Sequence, residues 1–431
     1  MLYTVLPLSI TVIVGLFTTL VYQQYRRVRK RDVSRLRVQK HTDSPKVGFS
    51  LDPLDHSLYW YPIAFSHEVT IGSKQPFACS LLNEPLCLYR IKTGDVVCVL
   101  DMCPHRSAPL SLGQITKDGN LECIYHGWQY GANGQCVYIP SVSKASKAAS
   151  LICARALPVH EQYGFIWVWP GKRDLASSDL IPHSLFADVQ RADGSFLLSP
   201  EYSCYLDIPY DLMFDNLLDM AHIDFTHDGT IGKRSQASCI RSERISPAIY
   251  SSTNTESVSF KVTRHEQPLP LSSIESSVFN FIPPCFVRIN HRVRNSEKLF
   301  IQIFVILPSA EKKMRLLLQF YRNFARYKWI EYIPGYDYLA DRMNKKVVDQ
   351  DVLLLNGIHR NIEDMGASVL GTTVSADQPI KAFRQFQAKS LAKFRGIYVE
   401  RKAWLNRKKN LDTEKSDQEF GLLDIEDIGS T

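Results

Sequence analysis

Outside one short run, the chain has no excess of charge of either sign. Its 431 residues hold 51 Lys and Arg against 44 Asp and Glu, a formal net charge of +7. Residues 26–40 (RRVRKRDVSRLRVQK) contain eight Lys/Arg and the single acid Asp32, so everything after Lys40 sums to zero. A neutral body offers no basic face for nucleic acid. There is no internal repeat, which argues against a repeat architecture. A Gly-rich dinucleotide fingerprint is also lacking, because Gly229-Thr-Ile-Gly232 has neither a third glycine nor a strand–turn–helix setting. No nicotinamide or flavin module is therefore expected. What is present, 45% hydrophobic and 22% charged residues, describes a globular chain long enough for two domains with additions.

Residues 1–25 contain no ionisable acid or base. Leu2 to Tyr22 would form about 32 Å of helix, enough to span a hydrocarbon core. A cleavable signal would need a charged start and a small-residue cleavage site, and neither precedes the arginine cluster. The expectation is an uncleaved transmembrane anchor, residues 1–25, followed by a basic juxtamembrane segment and linker, 26–56. The positive-inside rule then places the body on the cytoplasmic or stromal side. In that reducing compartment the 10 cysteines suit thiols and metal ligands better than a disulfide frame.

Short β-rich runs fill Tyr59 to Trp169, among them Leu86–Ile91, Asp95–Leu100, Leu121–Tyr125, Gln135–Ile139 and Tyr163–Trp169. A polar connector (171–200) leads to helical patterning over Pro209–Phe225. Long alternating strands follow at Ser257–His265, Ser276–Ile282, Cys285–Val293, Phe300–Leu307 and Met314–Phe320. A helical stretch to about 403 and a polar tail, 404–431, complete the chain.

Two short pairs stand out: Cys103-x-His105 and Cys123-x-x-His126, seventeen residues apart. Structural zinc and a two-iron cluster both accept two Cys and two His. Zinc fingers normally take Cys-Cys from one knuckle and His-His from another. Here each loop gives one of each, which suits a cluster whose thiolates hold one iron and whose imidazoles hold the other. Gly127 and Gly134 allow the tight turns this needs. The run CPHR-x-A-x-L-S-x-G, then C-x-YHGW-x-Y-x-x-x-G-x-C, resembles the Rieske domain of the Rieske non-haem iron oxygenases over most of residues 60–170.

Residues 215–227 read DNLLDMAHIDFTH and offer Asn216, Asp219, His222 and His227. In a helix Asp219 and His222 share a face. His222 and His227 lie about 140° apart round a regular helix and cannot grip one ion unless a π-bulge or a helix end intervenes. Read alone, a helix with one buried and one surface histidine fits equally well. The Rieske resemblance favours an oxygen-activating iron held by two His and one carboxylate. The third ligand it implies lies in VVDQDVLLLNGIH (347–359), where Asp351 aligns with the family's acidic helix better than Asp349. It also implies that Asp219 bridges a cluster histidine of one subunit to an iron histidine of the next, within a homotrimeric ring. The cofactors implied are a [2Fe-2S] cluster and a mononuclear Fe(II), with O2 as co-substrate and a ferredoxin or NAD(P)H-dependent reductase as donor.

The segments YDLMFDNLLDMAHIDFTHDGT (210–230), FIPPC (281–285) and TTVSADQPIKAFRQF (372–386) further resemble the pheophorbide a oxygenase and chlorophyllide a oxygenase branch. The polar tail differs from the C-terminal membrane segment with a Cys-x-x-Cys pair common in plant members, and no plastid transit peptide is expected ahead of Leu2. The N-terminal apolar run instead resembles cholesterol 7-desaturases, and both branches handle large apolar substrates. The fold expected is α+β: an all-β Rieske domain (57–170), then a helix-grip-like antiparallel sheet carrying the catalytic iron (201–403). The function expected is oxygenation or desaturation of a large apolar molecule, such as a chlorophyll-derived tetrapyrrole or a sterol. A membrane redox relay or sensor is the non-enzymatic alternative. The other cysteines and Trp60, Trp128, Trp167 and Trp169 are expected to pack the fold. His291, on the apolar side of its strand, is either a satisfied core histidine or a pocket donor.

Overall fold

A computed structural model describes residues 58–143, 148–191, 194–250, 257–265, 274–310, 312–324 and 333–388. The transmembrane anchor expected over 1–25, the basic segment and the polar tail all lie outside the described residues. Among the described residues no helix is long and apolar enough to cross a membrane.

The short β-rich runs form three small antiparallel sheets. The first joins β1 (Tyr61–Phe65), β10 (Val159–Gln162) and β11 (Phe165–Val168). The second joins β2 (Phe77–Leu81), β3 (Glu84–Arg90), β4 (Val96–Leu100) and β9 (Ala156–Leu157). The third consists of β5 (Gln114–Ile115), β6 (Leu121–Glu122), β7 (Gln129–Tyr130) and β8 (Cys136–Tyr138). The strand expected over Leu121–Tyr125 stops at Glu122, because Cys123 begins a turn in which Gly127 donates to its carbonyl. Tyr89, Leu110, Leu121 and Tyr130 bury their side chains beneath that turn and its counterpart at Cys103.

The long alternating runs form one eight-stranded sheet. It contains β12 (Leu197–Leu198), β13 (Tyr202–Leu206), β14 (Cys239–Ile245), β15 (Val258–His265), β16 (Ile274–Ile282), β17 (Phe286–Val293), β18 (Leu299–Ala310) and β19 (Lys313–Arg322). Period-two alternation gives it two buried faces with different partners. One face carries the row Phe260, Phe279, Ile289, Gln302 and Phe320, and the next row holds Phe281, Val287, Phe304 and Leu318. Against it packs α1 (Tyr210–Leu218), whose Phe214 meets Phe281 edge-on at 5.2 Å and Phe383 at 5.0 Å.

The opposite face meets the cysteine–histidine lobe and the connector. Trp167 lies 5.8 Å from Phe286. Two fully buried arginines tie this side down. Arg288 donates to both oxygens of Asp188 (2.8 and 2.6 Å) and to the carbonyl of Leu185, under the ring of Tyr250. Arg315 donates to the carbonyl of Ile63 and to Glu68, both at 2.6 Å, between the rings of Phe77 and Tyr205. Arg315→Leu leaves Glu68 buried without its cation. The expected loss is about 3–5 kcal/mol, read as a lower denaturant midpoint. An unchanged midpoint would show that the pair adds nothing to the lobe–sheet junction.

The single helix expected over Pro209–Phe225 is two. It ends at Leu218, where Asp219 takes extended backbone angles (φ −95°, ψ 119°) and its side chain accepts from the Ala221 amide at 2.7 Å. The chain restarts as α2 (Ile223–Thr226), flanked by His222 and His227. An acid capping its own turn competes with helix continuation. Of the C-terminal helical stretch, α3 (Tyr336–Met365) is the main element, and a further helix begins at residue 378. The described residues up to Phe383 belong to one compact unit, and 384–388 to a second.

Candidate metal centres

The two cysteine–histidine loops have the same backbone frame. Cys103 N–H donates to the Ala108 carbonyl and Ser107 N–H to the Cys103 carbonyl. Likewise Cys123 N–H donates to Trp128, and Gly127 N–H to Cys123, all at 2.8–2.9 Å. The fifth residue of each turn is left-handed, Ser107 at φ 55° and Gly127 at φ 72°. The matched turns bring the His105 and His126 rings to 4.5 Å, while both thiols are buried. Trp128, expected only to pack, lies parallel on His105 at 4.4 Å. The Tyr130 hydroxyl sits 3.0 Å from Cys103 Sγ.

Several observations test whether these residues fit a two-iron cluster. The buried Nδ1 of His105 has no hydrogen-bond partner among the described residues, as a metal-binding nitrogen requires. Partial burial, then the charges of His126 and Arg106, hold that imidazole below the usual histidine range and favour its neutral, ligating form. Burial pushes the Cys123 thiol up, so a thiolate there needs a compensating cation. No three of the four donors converge within 4.8 Å, the spread suited to two ions and not to one zinc. The residues fit the cluster.

The second set does converge. His222, His227 and Asp351 each offer one donor atom, all within 4.8 Å of one another. The end of the helix at Leu218 makes this possible, since the two histidines then stand at either end of a separate four-residue helix. Asp351 projects from α3, is 7% exposed, and puts Oδ1 at 3.1 Å from His227 Nε2 and 3.6 Å from His222 Nε2. Asn216 Nδ2 donates to the same oxygen at 3.0 Å. Burial works against protonating His227, but its bonds to Asp351 and Gln350 outweigh this and its pKa is raised. Two imidazoles facing one carboxylate fit a metal with open positions for further ligands.

The other expected residues divide. Asp349, the alternative acid, points to solvent and pairs with Lys345 at 2.7 Å. Asp219 is not on one helix with His222, as described above, yet its Oδ2 still reaches 3.5 Å from His222 Nδ1. His291 is a satisfied core histidine, bonded to Ser277 at 2.7 Å and Gln302 at 2.9 Å. Cys153 and Cys239 are exposed, against the expectation that the remaining cysteines pack the interior. Sequence reasoning missed Gln350 and Thr230. Gln350 Oε1 accepts from His227 Nδ1 at 3.0 Å and from Thr230 Oγ1 at 2.9 Å. The adjacency of Gln350 to Asp351 was the available signal. It also missed Gly232, where a Cβ would lie 2.1 Å from the Ile223 carbonyl oxygen. Only glycine lets that backbone close in and donate to the His227 carbonyl.

Residues 59–158 match the family model of the Rieske [2Fe-2S] domain, and residues 206–393 that of the vanillate O-demethylase oxygenase C-terminal domain. A chlorophyllide a oxygenase of Oryza sativa subsp. japonica is 29% identical over 78% of this chain and 58% of its own length. Protein TIC 55 of Arabidopsis thaliana is 28% identical over 61% of this chain and 46% of that one. A vanillate O-demethylase oxygenase subunit of Pseudomonas sp. (strain HR199 / DSM 7063) is 38% identical over 41% and 46%. The chain thus spans less than two thirds of these relatives. The crystal structure of dicamba monooxygenase bound to dicamba superposes with a TM-score of 0.62 at 23% identity, covering 78% of this chain and 98% of that one, which shows the shared fold.

Proposed function

Because the chain belongs to the Rieske non-haem iron oxygenases, we propose that it uses O2 to oxygenate or desaturate a large apolar substrate. The observation that carries this reading is the convergence of His222, His227 and Asp351 in a chain that also has the cysteine–histidine lobe. In this reading Cys103 and Cys123 hold one cluster iron, His105 and His126 the other, and the convergent set holds the mononuclear ion. The bound groups supply one-electron transfer and oxygen activation.

The chain's own residues do the rest. Asn216 holds Asp351 Oδ1 by a hydrogen bond and limits how the carboxylate can turn. Asp219 faces the His222 ring, 3.5 Å from Nδ1, and in a homotrimer would also meet His126 of a neighbouring copy. Phe214 of α1 packs its ring on those of Phe281 and Phe383, a buried cluster that holds α1, and the loop after it, against the sheet. A ferredoxin or NAD(P)H-dependent reductase would supply the electrons. The partition into 57–170 and 201–403, and a single-pass anchor at 1–25 that keeps the body near a bilayer, belong to the same proposal.

The first test is anaerobic metal and sulfide analysis of the purified chain. Iron beyond that of the cluster should be lost in Asp351→Ala and kept in Asp349→Ala. The opposite pattern would move the carboxylate to Asp349, and zinc without sulfide would end the reading. The substrate is tested by O2 uptake with a ferredoxin–reductase pair and either chlorophyllide a or cholesterol. The tetrapyrrole comes first because of the likeness to chlorophyllide a oxygenases. Full iron loading without turnover, together with cluster re-oxidation by a protein acceptor, would favour the redox relay.

A further inference from the structure

His227 is held from two sides by consecutive residues of one helix. Asp351 faces its Nε2 at 3.1 Å, and Gln350 accepts from its Nδ1 at 3.0 Å. A histidine ligand binds a metal through one nitrogen only if the other keeps the proton, so whichever group accepts that proton selects the tautomer and the ring angle. Gln350 is well placed for this task. Thr230 Oγ1 lies 2.9 Å from its Oε1 and 2.8 Å from the His227 carbonyl, so the single hydroxyl proton is shared between the two acceptors. The amides of Thr230 and Gly232 donate to the same carbonyl at 2.9 and 3.1 Å. The backbone and ring of a residue only 2% exposed are thus immobilised together.

His222 is treated differently. Its Nδ1 has no hydrogen bond among the described residues, and the Asp219 carboxylate lies 3.5 Å from it. One histidine of the pair is therefore clamped by a neutral amide, and the other rests loosely beside a carboxylate.

We propose that Gln350 is a positioning residue for the mononuclear site, fixing the proton of His227 on Nδ1 so that Nε2 faces the metal position. Thr230 orients the amide, and the two residues together hold the His227 half of the site. The inference rests on the reading of His222, His227 and Asp351 as a metal site and adds to it a residue that touches neither metal nor substrate.

If Gln350 loses its acceptor, the His227 ring is free to turn and to carry its proton on Nε2, where Asp351 would accept it in competition with a metal. Gln350→Leu removes the acceptor at similar size, and Gln350→Glu restores one. Fe(II) affinity is measured anaerobically by competition with a chelator on the full chain, with the visible absorption of the cluster as an internal check of folding. Removing such outer partners typically costs about 10–100-fold in metal affinity. The Leu variant should weaken Fe(II) by that factor with the cluster spectrum unchanged. The Glu variant should return to within a few-fold of the original. The electron paramagnetic resonance signal of the Fe(II)–nitric oxide adduct should broaden in the Leu variant, reporting a less uniform ligand geometry. Wild-type affinity and line shape in the Leu variant would overturn the proposal, as would a Glu variant no better than Leu. His227→Ala serves as the separate control: if it keeps Fe(II), the metal site itself has been misassigned.

Discussion

His222→Ala should abolish turnover and leave the cluster spectrum nearly unchanged. His222 belongs to the turn between α1 and α2, on the sheet face opposite the cysteine–histidine lobe. Its loss removes one of three convergent donors, and two donors grip a divalent ion far less tightly than three. The cluster should remain, because no hydrogen bond connects His222 to either cysteine loop among the described residues. The measurements are O2 consumption, iron content and the visible spectrum. Retained iron with retained turnover would show that catalysis does not occur at His222, His227 and Asp351.

Asp219→Asn is the second large effect. The amide keeps the shape and the bond from the Ala221 N–H but removes the charge beside His222. If Asp219 connects His222 to His126 of a neighbouring copy, the variant keeps both metal centres and its donor still reduces the cluster. Single-turnover oxidation of the cluster by O2 and substrate should then slow by about 100-fold or more. If Asp219 only orients His222 within its own chain, Fe(II) affinity should fall along with the rate. Rapid-mixing absorbance of the cluster, read beside a chelator titration, separates the two. A wild-type rate in an intact oligomer would sink the bridging role.

These predictions rest on parts of the molecule that differed in how legible they were. The cysteine–histidine loops were readable because their chemistry is local: each pair lies within one turn, and Gly127 marks the left-handed position. The long strands were readable because runs of eight or more residues rich in β-branched and aromatic side chains mark a strand even where burial on both faces weakens the alternation. The break after Leu218 was not, since Asn216, Leu217 and Leu218 continue a helical pattern and the interruption comes from one aspartate bonding its own turn. Spacing alone therefore showed only that His222 and His227 could not meet on a regular helix, and that an end or bulge would be needed. The carboxylate was harder still. Asp349 and Asp351 differ by two positions, and only the rotation of α3 sends one to Lys345 and the other inward. Gln350 was marked only by its place beside Asp351, because an amide between two acids has no further signature until its partner's ring nitrogen is located.

The two buried faces of the eight-stranded sheet also bear on the proposed wiring of each chain. The cysteine–histidine lobe grips one side through Trp167 and Arg315, and α1, which leads into the histidine–carboxylate set, packs on the other. Packed layers sit about 10 Å apart, so a route through the sheet crosses two such spacings before either metal-binding loop is counted. Electron tunnelling falls exponentially over lengths of that order. With both centres held as proposed, the sheet would act as an insulating partition and a lone chain would be an open circuit, charged at one terminal without delivering current at the other. Assembly, in the arrangement proposed above, would then be the switch that closes the circuit.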